Sequence, residues 1–288
     1  MYFEETKEIT INDDTYKITD TDRFPVIETT NLQDIFHLQF INDKYRNKRF
    51  DHYEYNGIHV PRVTKILDGI SKGELSFWFG KVGNAESKRI QEEATFIGSH
   101  VHEMIDNFLL TGKDEDRSAI MNQNKWFQVL TAYNNFKSWV NYINNMGFFI
   151  EEIVGIEIPV VCHLYGGTID AIVKINGKYY IIDFKTSKKI SVNYLLQISA
   201  YYWAVNNGFI SDKYPGLFVN GIGIIRVDKL YKEFEDYFLN DFIPVQREIL
   251  NNYITTWGNI LAAYYTYENS KIMFTDYKKN YDLKGVLK

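Results

Sequence analysis

The chain has 288 residues, of which 45% are hydrophobic and 24% charged, and its net charge is −5. This is ample apolar material for one elaborated domain or two small ones, and the acidic balance excludes a protein that coats nucleic acid by bulk electrostatics. A single cysteine, Cys162, excludes an internal disulfide and any four-cysteine zinc or iron–sulfur site.

No apolar run approaches the ~18 residues of a membrane span, and MYFEETKEIT lacks the basic and apolar regions of a signal peptide, so a soluble cytoplasmic protein is expected. Residues 1–60 form a β-rich accessory segment. EITINDDTYKIT alternates around Asn12-Asp13-Asp14 and FDHYEYNGIHV around Asn56-Gly57, with no catalytic spacing in either. Val60 to Thr64 then opens a helical region that Thr64 would cap, with a break between Gly69 and Gly73. A helix from about Glu74 to Glu93 carries Phe77, Trp78 and Phe79 followed by Lys81, Lys88 and Arg89. Aromatics interleaved with basic residues can stack and hold single-stranded nucleic acid, although such aromatics belong more often to a core.

A separate helix, Thr95 to Leu110, has an apolar face of Val101, Met104, Ile105 and Phe108. Gly98 on it permits a close backbone approach. His102 follows four residues later, with His100 and Glu103 as neighbours. A lone histidine on such a helix is ordinarily structural. A long helix from about Arg117 to Met146 reads as core and is closed by Gly147. Phe149 to Val161 is a strand containing Glu157.

The stretch from Tyr165 to Thr186 is a two-stranded hairpin joined at Asn176-Gly177. A two-residue loop makes Ile175 face Lys178, and the same register carried back places Asp170 opposite Asp183, roughly 5 Å apart at Cβ. Lys185 shares that face, while Ile169, Ala171, Val173, Tyr180, Ile182 and Phe184 form the other, a core face. Facing carboxylates destabilise a sheet unless something neutralises them, and a divalent cation does so. Asp-x-Lys tripeptides are common: Asp276-Tyr277-Lys278 and Asp282-Leu283-Lys284 lie in the polar tail and read as solvated charge. The register-matched Asp170 sets Asp183-Phe184-Lys185 apart from them.

Lys188 follows the hairpin, and then a helix from about Val192 to Asn206 places Gln197 and Tyr201 on one face. Gly216 to Val227 is a strand, a final helix spans about Leu239 to Tyr267, and residues 271–288 are a polar tail. The expected fold is α/β: a mixed sheet of strands near 150–161, 165–175, 178–186 and 217–227, flanked by helices.

With His102, Asp170, Asp183-Phe184-Lys185 and Gln197…Tyr201 in this order, the chain resembles the PD-(D/E)xK nuclease superfamily, whose core is restriction-endonuclease-like. Within it, the likeness is to the RecB-type exonuclease branch with a Q-x-x-x-Y motif, and to exonucleases of the mitochondrial genome maintenance type and their phage-encoded relatives. VPRVTKIL, GSHVHEMID, GGTIDAIVKINGKYYIIDFKTSKK and LLQISAYYWAV carry the resemblance, from about Val60 to Glu268. It implies a nuclease domain over 61–270, with residues 62–93 as a helical gate over the site.

The resemblance also implies roles. His102, Asp170, Asp183 and the Phe184 carbonyl would ligate metal, and Lys185 would be catalytic beside Asp170 and Asp183. Gln197 and Tyr201 would brace the site and contact nucleic acid, with Trp78, Lys81, Lys88, Arg89 and Lys188 as further contacts. Glu157 sits where some relatives carry an additional acid. The cofactor expected is Mg²⁺ or Mn²⁺, with no iron–sulfur cluster. The partner expected is DNA, as single strands or free ends, alongside replication or recombination proteins and no membrane. The leading function is a metal-dependent DNA exonuclease in replication, recombination or repair. A structure-specific endonuclease and a catalytically silent end-binding scaffold are the alternatives. Abundant Asn, Lys, Ile and Tyr suit AT-rich coding and a phage or bacterial source.

Overall fold

The structure is a computed structural model, and it describes residues 5–11, 14–20, 52–55, 58–69, 84–114 and 124–280. The chain divides into two compact units, residues 49–260 and residues 1–48 with 261–288. In the latter, β1 (Glu5–Ile11) pairs antiparallel with β2 (Asp14–Asp20), with Ile11 facing Asp14, so the expected first hairpin forms.

The larger unit opens with the second expected hairpin, β3 (His52–Tyr55) and β4 (Ile58–Pro61), in which Tyr55 faces Ile58 across Asn56-Gly57. A short helix, α1 (63–69), follows. Its first turn bonds the Ile66 N–H to the Arg62 carbonyl at 3.2 Å, so Thr64 lies inside the helix and not at its cap.

Helix α2 runs unbroken from Asn84 to Thr111, which corrects the expectation of two helices meeting near Ala94. Nothing between Glu93 and Thr95 supplies turn chemistry, and Ser87, Ile97, Val101, Met104 and Ile105 hold one buried stripe through that point. Helix α3 (Asn124–Asn145) packs beside it. The stretch 117–123, where this helix was expected to begin, lies outside the described residues.

Then come β5 (Ile150–Val161), β6 (Gly166–Ile175), β7 (Lys178–Lys185), α4 (Val192–Asn206), β8 (Gly221–Val227), β9 (Phe234–Asn240) and α5 (Pro244–Asn280). The sheet has the order β5-β6-β7-β8-β9, with β7 and β8 parallel and the other pairs antiparallel. This is the expected mixed sheet with one more strand. Phe234–Asn240 was not anticipated as a strand, and the final helix begins after it, at Pro244, and not near Leu239. Pairing with β8 decides this, because FEDYFLN alternates only weakly. Pro244 opens the helix, where its missing N–H is no loss. That helix also continues through Asn280, into residues expected to be tail.

One layer of the core lies between the sheet and helices α2 and α3. Ala171, Val173, Ile175, Ile182, Phe184, Ile225 and Val227 project from the strands onto Val101, Ile105, Trp126, Phe136 and Trp139. This is the face that period-two alternation assigned to the core. Burying a side chain of this size removes enough apolar area to contribute about 1.5–3 kcal/mol, so the sheet is held in place rigidly beneath whatever its β6 and β7 ends carry. Among the described residues no helix is long and apolar enough to cross a membrane.

Candidate active site

The β6–β7 hairpin turns on Asn176 (φ 46°) and Gly177 (φ 74°), both left-handed as a tight two-residue loop requires. Its ladder runs from Ile175 facing Lys178 to Ala171 facing Ile182, which is the expected register. The ladder stops one position short of the expected Asp170–Asp183 pair. There the Asp170 side chain replaces the strand: its Oδ2 accepts the Phe184 N–H at 2.8 Å. The strand ends therefore carry a carboxylate in the seam and not two facing across it.

Across that seam lies α2. His102 Nε2 is 2.9 Å from the Phe184 carbonyl, and Nδ1 is 3.7 Å from Asp170 Oδ2. An imidazole whose one nitrogen donates to a backbone carbonyl presents its other nitrogen as a ligand in a fixed orientation. The third member comes from β5. Ile156 faces Ala171 and Ile158 faces Ile169, but Glu157 between them has φ 49°. A non-glycine residue in the left-handed region inside a strand costs about 1–3 kcal/mol. His102, Glu157 and Asp170 each offer a ligand atom, all within 4.8 Å of one another.

Asp183 is not one of these three. Its Oδ1 accepts from Lys185 Nζ at 2.7 Å, while its Oδ2 is buried with no hydrogen-bond partner among the described residues. Burial raises the Asp183 carboxyl above the usual range against the attraction of Lys185, and the nearby Asp170 charge adds to the rise. Burial likewise raises Glu157, reinforced by Asp170. One imidazole, the Glu157 and Asp170 carboxylates beside it and the orphaned buried oxygen of Asp183 form a donor set that fits a hard divalent cation.

A cleft of about 530 Å³ opens onto this cluster, lined by Thr95, Gly98, Ser99, His102, Glu103, Asp106 and Glu157. Asp106 was missed from the sequence. It lies one turn beyond His102 on the same helix, and burial followed by the Glu157 charge pushes it up to about 6. The i, i+4 spacing was the available signal. His100 instead packs its ring against Phe96 and Trp126, at 4.4 and 5.0 Å between centroids.

Gln197 and Tyr201 come from α4 and behave as a pair, with the Gln197 Nε2 donating to the Tyr201 hydroxyl at 3.3 Å. Tyr201 is buried against Gly167, where any Cβ would overlap its ring, and burial raises its hydroxyl well above the ordinary value. Tyr53 of β3 covers Gly166 in the same way and shares a 2.7 Å hydrogen bond with Thr168 Oγ1. Two glycines thus let two tyrosines clamp the strand that carries Asp170.

Of the expected nucleic-acid contacts, Trp78 and Lys81 lie outside the described residues. Lys88 and Arg89 are exposed and already paired along their own helix, Lys88 with Glu92 at 3.9 Å and Arg89 with Glu86 and Glu93 at 2.7 and 2.9 Å. Lys188 is exposed just past β7.

No curated protein matches this chain. Among solved structures, that of SSO0001 is 14% identical and covers 56% of this chain and 74% of that one, with a TM-score of 0.24, which bears no weight. The family description "PD-(D/E)XK nuclease superfamily" matches residues 71–267, a span that holds the His102, Asp170, Asp183, Lys185 and Gln197 positions just described. Over well more than half its length, this chain belongs to the PD-(D/E)XK nuclease superfamily.

Proposed function

We propose that this protein is a divalent-metal-dependent DNA exonuclease that hydrolyses phosphodiester bonds at single-stranded or free ends. The observation that carries the reading is the His102, Glu157 and Asp170 cluster set against Asp183 and Lys185 at the end of one hairpin. His102, Asp170 and Glu157 would hold the cation, joined by Asp183, whose Oδ2 has no hydrogen-bond partner among the described residues. The Phe184 carbonyl, engaged by His102, acts first to orient that imidazole. A bound Mg²⁺ or Mn²⁺ supplies positive charge against the phosphoryl oxygens and acidifies the attacking water. Lys185 keeps its ammonium on Asp183 and directs its remaining N–H groups at the phosphate, stabilising charge as it develops there. Gln197 and Tyr201 brace β6, and Lys188, Lys88 and Arg89 would contact the nucleic acid. Such an activity suits work in replication, recombination or repair.

The test is cleavage of end-labelled linear single-stranded, linear duplex and circular single-stranded DNA in Mg²⁺ or Mn²⁺, with Asp183→Ala alongside. Short products from linear strands only, lost in the variant, are expected. Cleavage of circles would replace the exonuclease with an endonuclease, and binding without any cleavage would replace both with an end-binding scaffold.

A further inference from the structure

We infer that Tyr194 is a positioning residue for Lys185, holding the lysine ammonium by its ring face. The inference rests on Lys185 being the catalytic lysine of the proposed nuclease. The Lys185 Nζ lies 5.0 Å from the centre of the Tyr194 ring, within the range where an aromatic face attracts a cation. Among the described residues this ammonium donates its one hydrogen bond to Asp183 Oδ1, at 2.7 Å. The Lys185 side chain is 17% exposed, so the attraction acts in a partly desolvated setting.

Two features make the ring more than packing. Lysine is a point charge on a four-carbon stem, and one hydrogen bond leaves it free to swing. Asp183 would also serve the cation of the proposed nuclease, its Oδ2 having no hydrogen-bond partner among the described residues, so its charge would be divided between the ion and the lysine. The ring's attraction draws on no group that the ion needs. Tyr194 is in turn fixed by the start of α4, where its N–H bonds the carbonyl of Ser191, the N-cap, at 3.1 Å. The same helix carries Gln197 and Tyr201, so one rigid element sets both the brace on β6 and the position of the lysine on β7.

A merely structural Tyr194 would affect stability alone, and a base-stacking Tyr194 would affect KM. A positioning Tyr194 affects kcat and needs only the ring. Tyr194→Leu should therefore lower kcat roughly tenfold at unchanged KM, while Tyr194→Phe retains wild-type kcat. Full kcat in Tyr194→Leu, or a rise in KM alone, overturns the inference. Lys185→Ala separates the two levels: if it remains active, the nuclease site reading itself falls, whereas an inactive Lys185→Ala with a fully active Tyr194→Leu sinks only the role of Tyr194. A measurement on the unaltered chain without metal needs no variant to fold. Nuclear Overhauser effects between the Lys185 ε-methylene and the Tyr194 ring protons are expected, and their absence overturns the inference.

Discussion

At the residue scale the site depends on small backbone accommodations around a few carboxylates. Glu157 keeps a left-handed backbone inside a strand, and its side chain reaches the imidazole of His102 and the carboxylate of Asp170. Removing its charge without changing its shape should weaken the ion more than the fold. Glu157→Gln is expected to lower Mn²⁺ affinity by about 10–100-fold in calorimetric titration, with little change in melting temperature in chelator. Unchanged affinity would remove Glu157 from the ligand set. Lys185 is sharper still: Lys185→Ala should cut kcat by about 10²–10³ with metal affinity nearly intact, if the lysine acts on the phosphate and not on the ion as proposed. Tyr194 illustrates a residue that no local pattern marks, since only the docking of α4 brings its ring to Lys185.

At the scale of elements, the hairpin register, the helix α2 and the clamp from α4 each do a separate job. Gly167 is where the clamp closes, and its side-chain position is filled by the Tyr201 ring. Gly167→Ala must push that ring or the strand aside, a strain of about 1–3 kcal/mol, and chemical denaturation should show a loss of that size together with reduced cleavage. A neutral result would mean the clamp is loose. On the opposite face, the buried Asn135 of α3 donates from its amide nitrogen to the carbonyls of Asp228 at 2.7 Å and Tyr231 at 2.6 Å, tying the β8–β9 turn to the core. Asn135→Leu leaves both carbonyls without that donor and should cost about 1–3 kcal/mol, without altering kcat. A loss of kcat at full stability would instead connect this turn to the site. The weak alternation of β9 and the unbroken run of α2 are also element-scale outcomes. A strand edge pairs with an available neighbour, and a helix continues wherever no residue stops it.

The whole molecule carries a pH signature through its crowded carboxylates. Asp106, Glu157 and Asp183 all have folded-state values raised above the ordinary range, chiefly by burial. Folding therefore favours their protonated forms, so their contribution to stability is complete below about pH 4 and is lost as pH rises to about 6. A divalent cation binds the deprotonated carboxylates and reverses that loss. The rise in melting temperature on adding Mn²⁺ should be small near pH 4 and full near pH 7, about 2–4 °C for each kcal/mol at this chain length. An equal rise at both would show that the ion binds away from these carboxylates.

Much of this site could be read from the chain because its central part is local. A two-residue Asn176-Gly177 loop admits one register, so the pairing from Ile175–Lys178 to Ala171–Ile182 follows from counting along two strands, although the Asp170–Asp183 pair expected next in that count does not form. Period-two alternation likewise separates the core face from the site face, and helical spacing joins Gln197 to Tyr201. The sequence by itself determined these features because each is governed by short-range geometry. Tertiary structure alone decided the rest. It moved the Asp170 carboxylate into the seam and put His102 on the Phe184 carbonyl. It brought Glu157 and Asp106 to the cleft, and laid Tyr194 over Lys185. Those contacts join residues from separate elements, and their positions depend on how helices pack on a twisted sheet, which no window of sequence encodes.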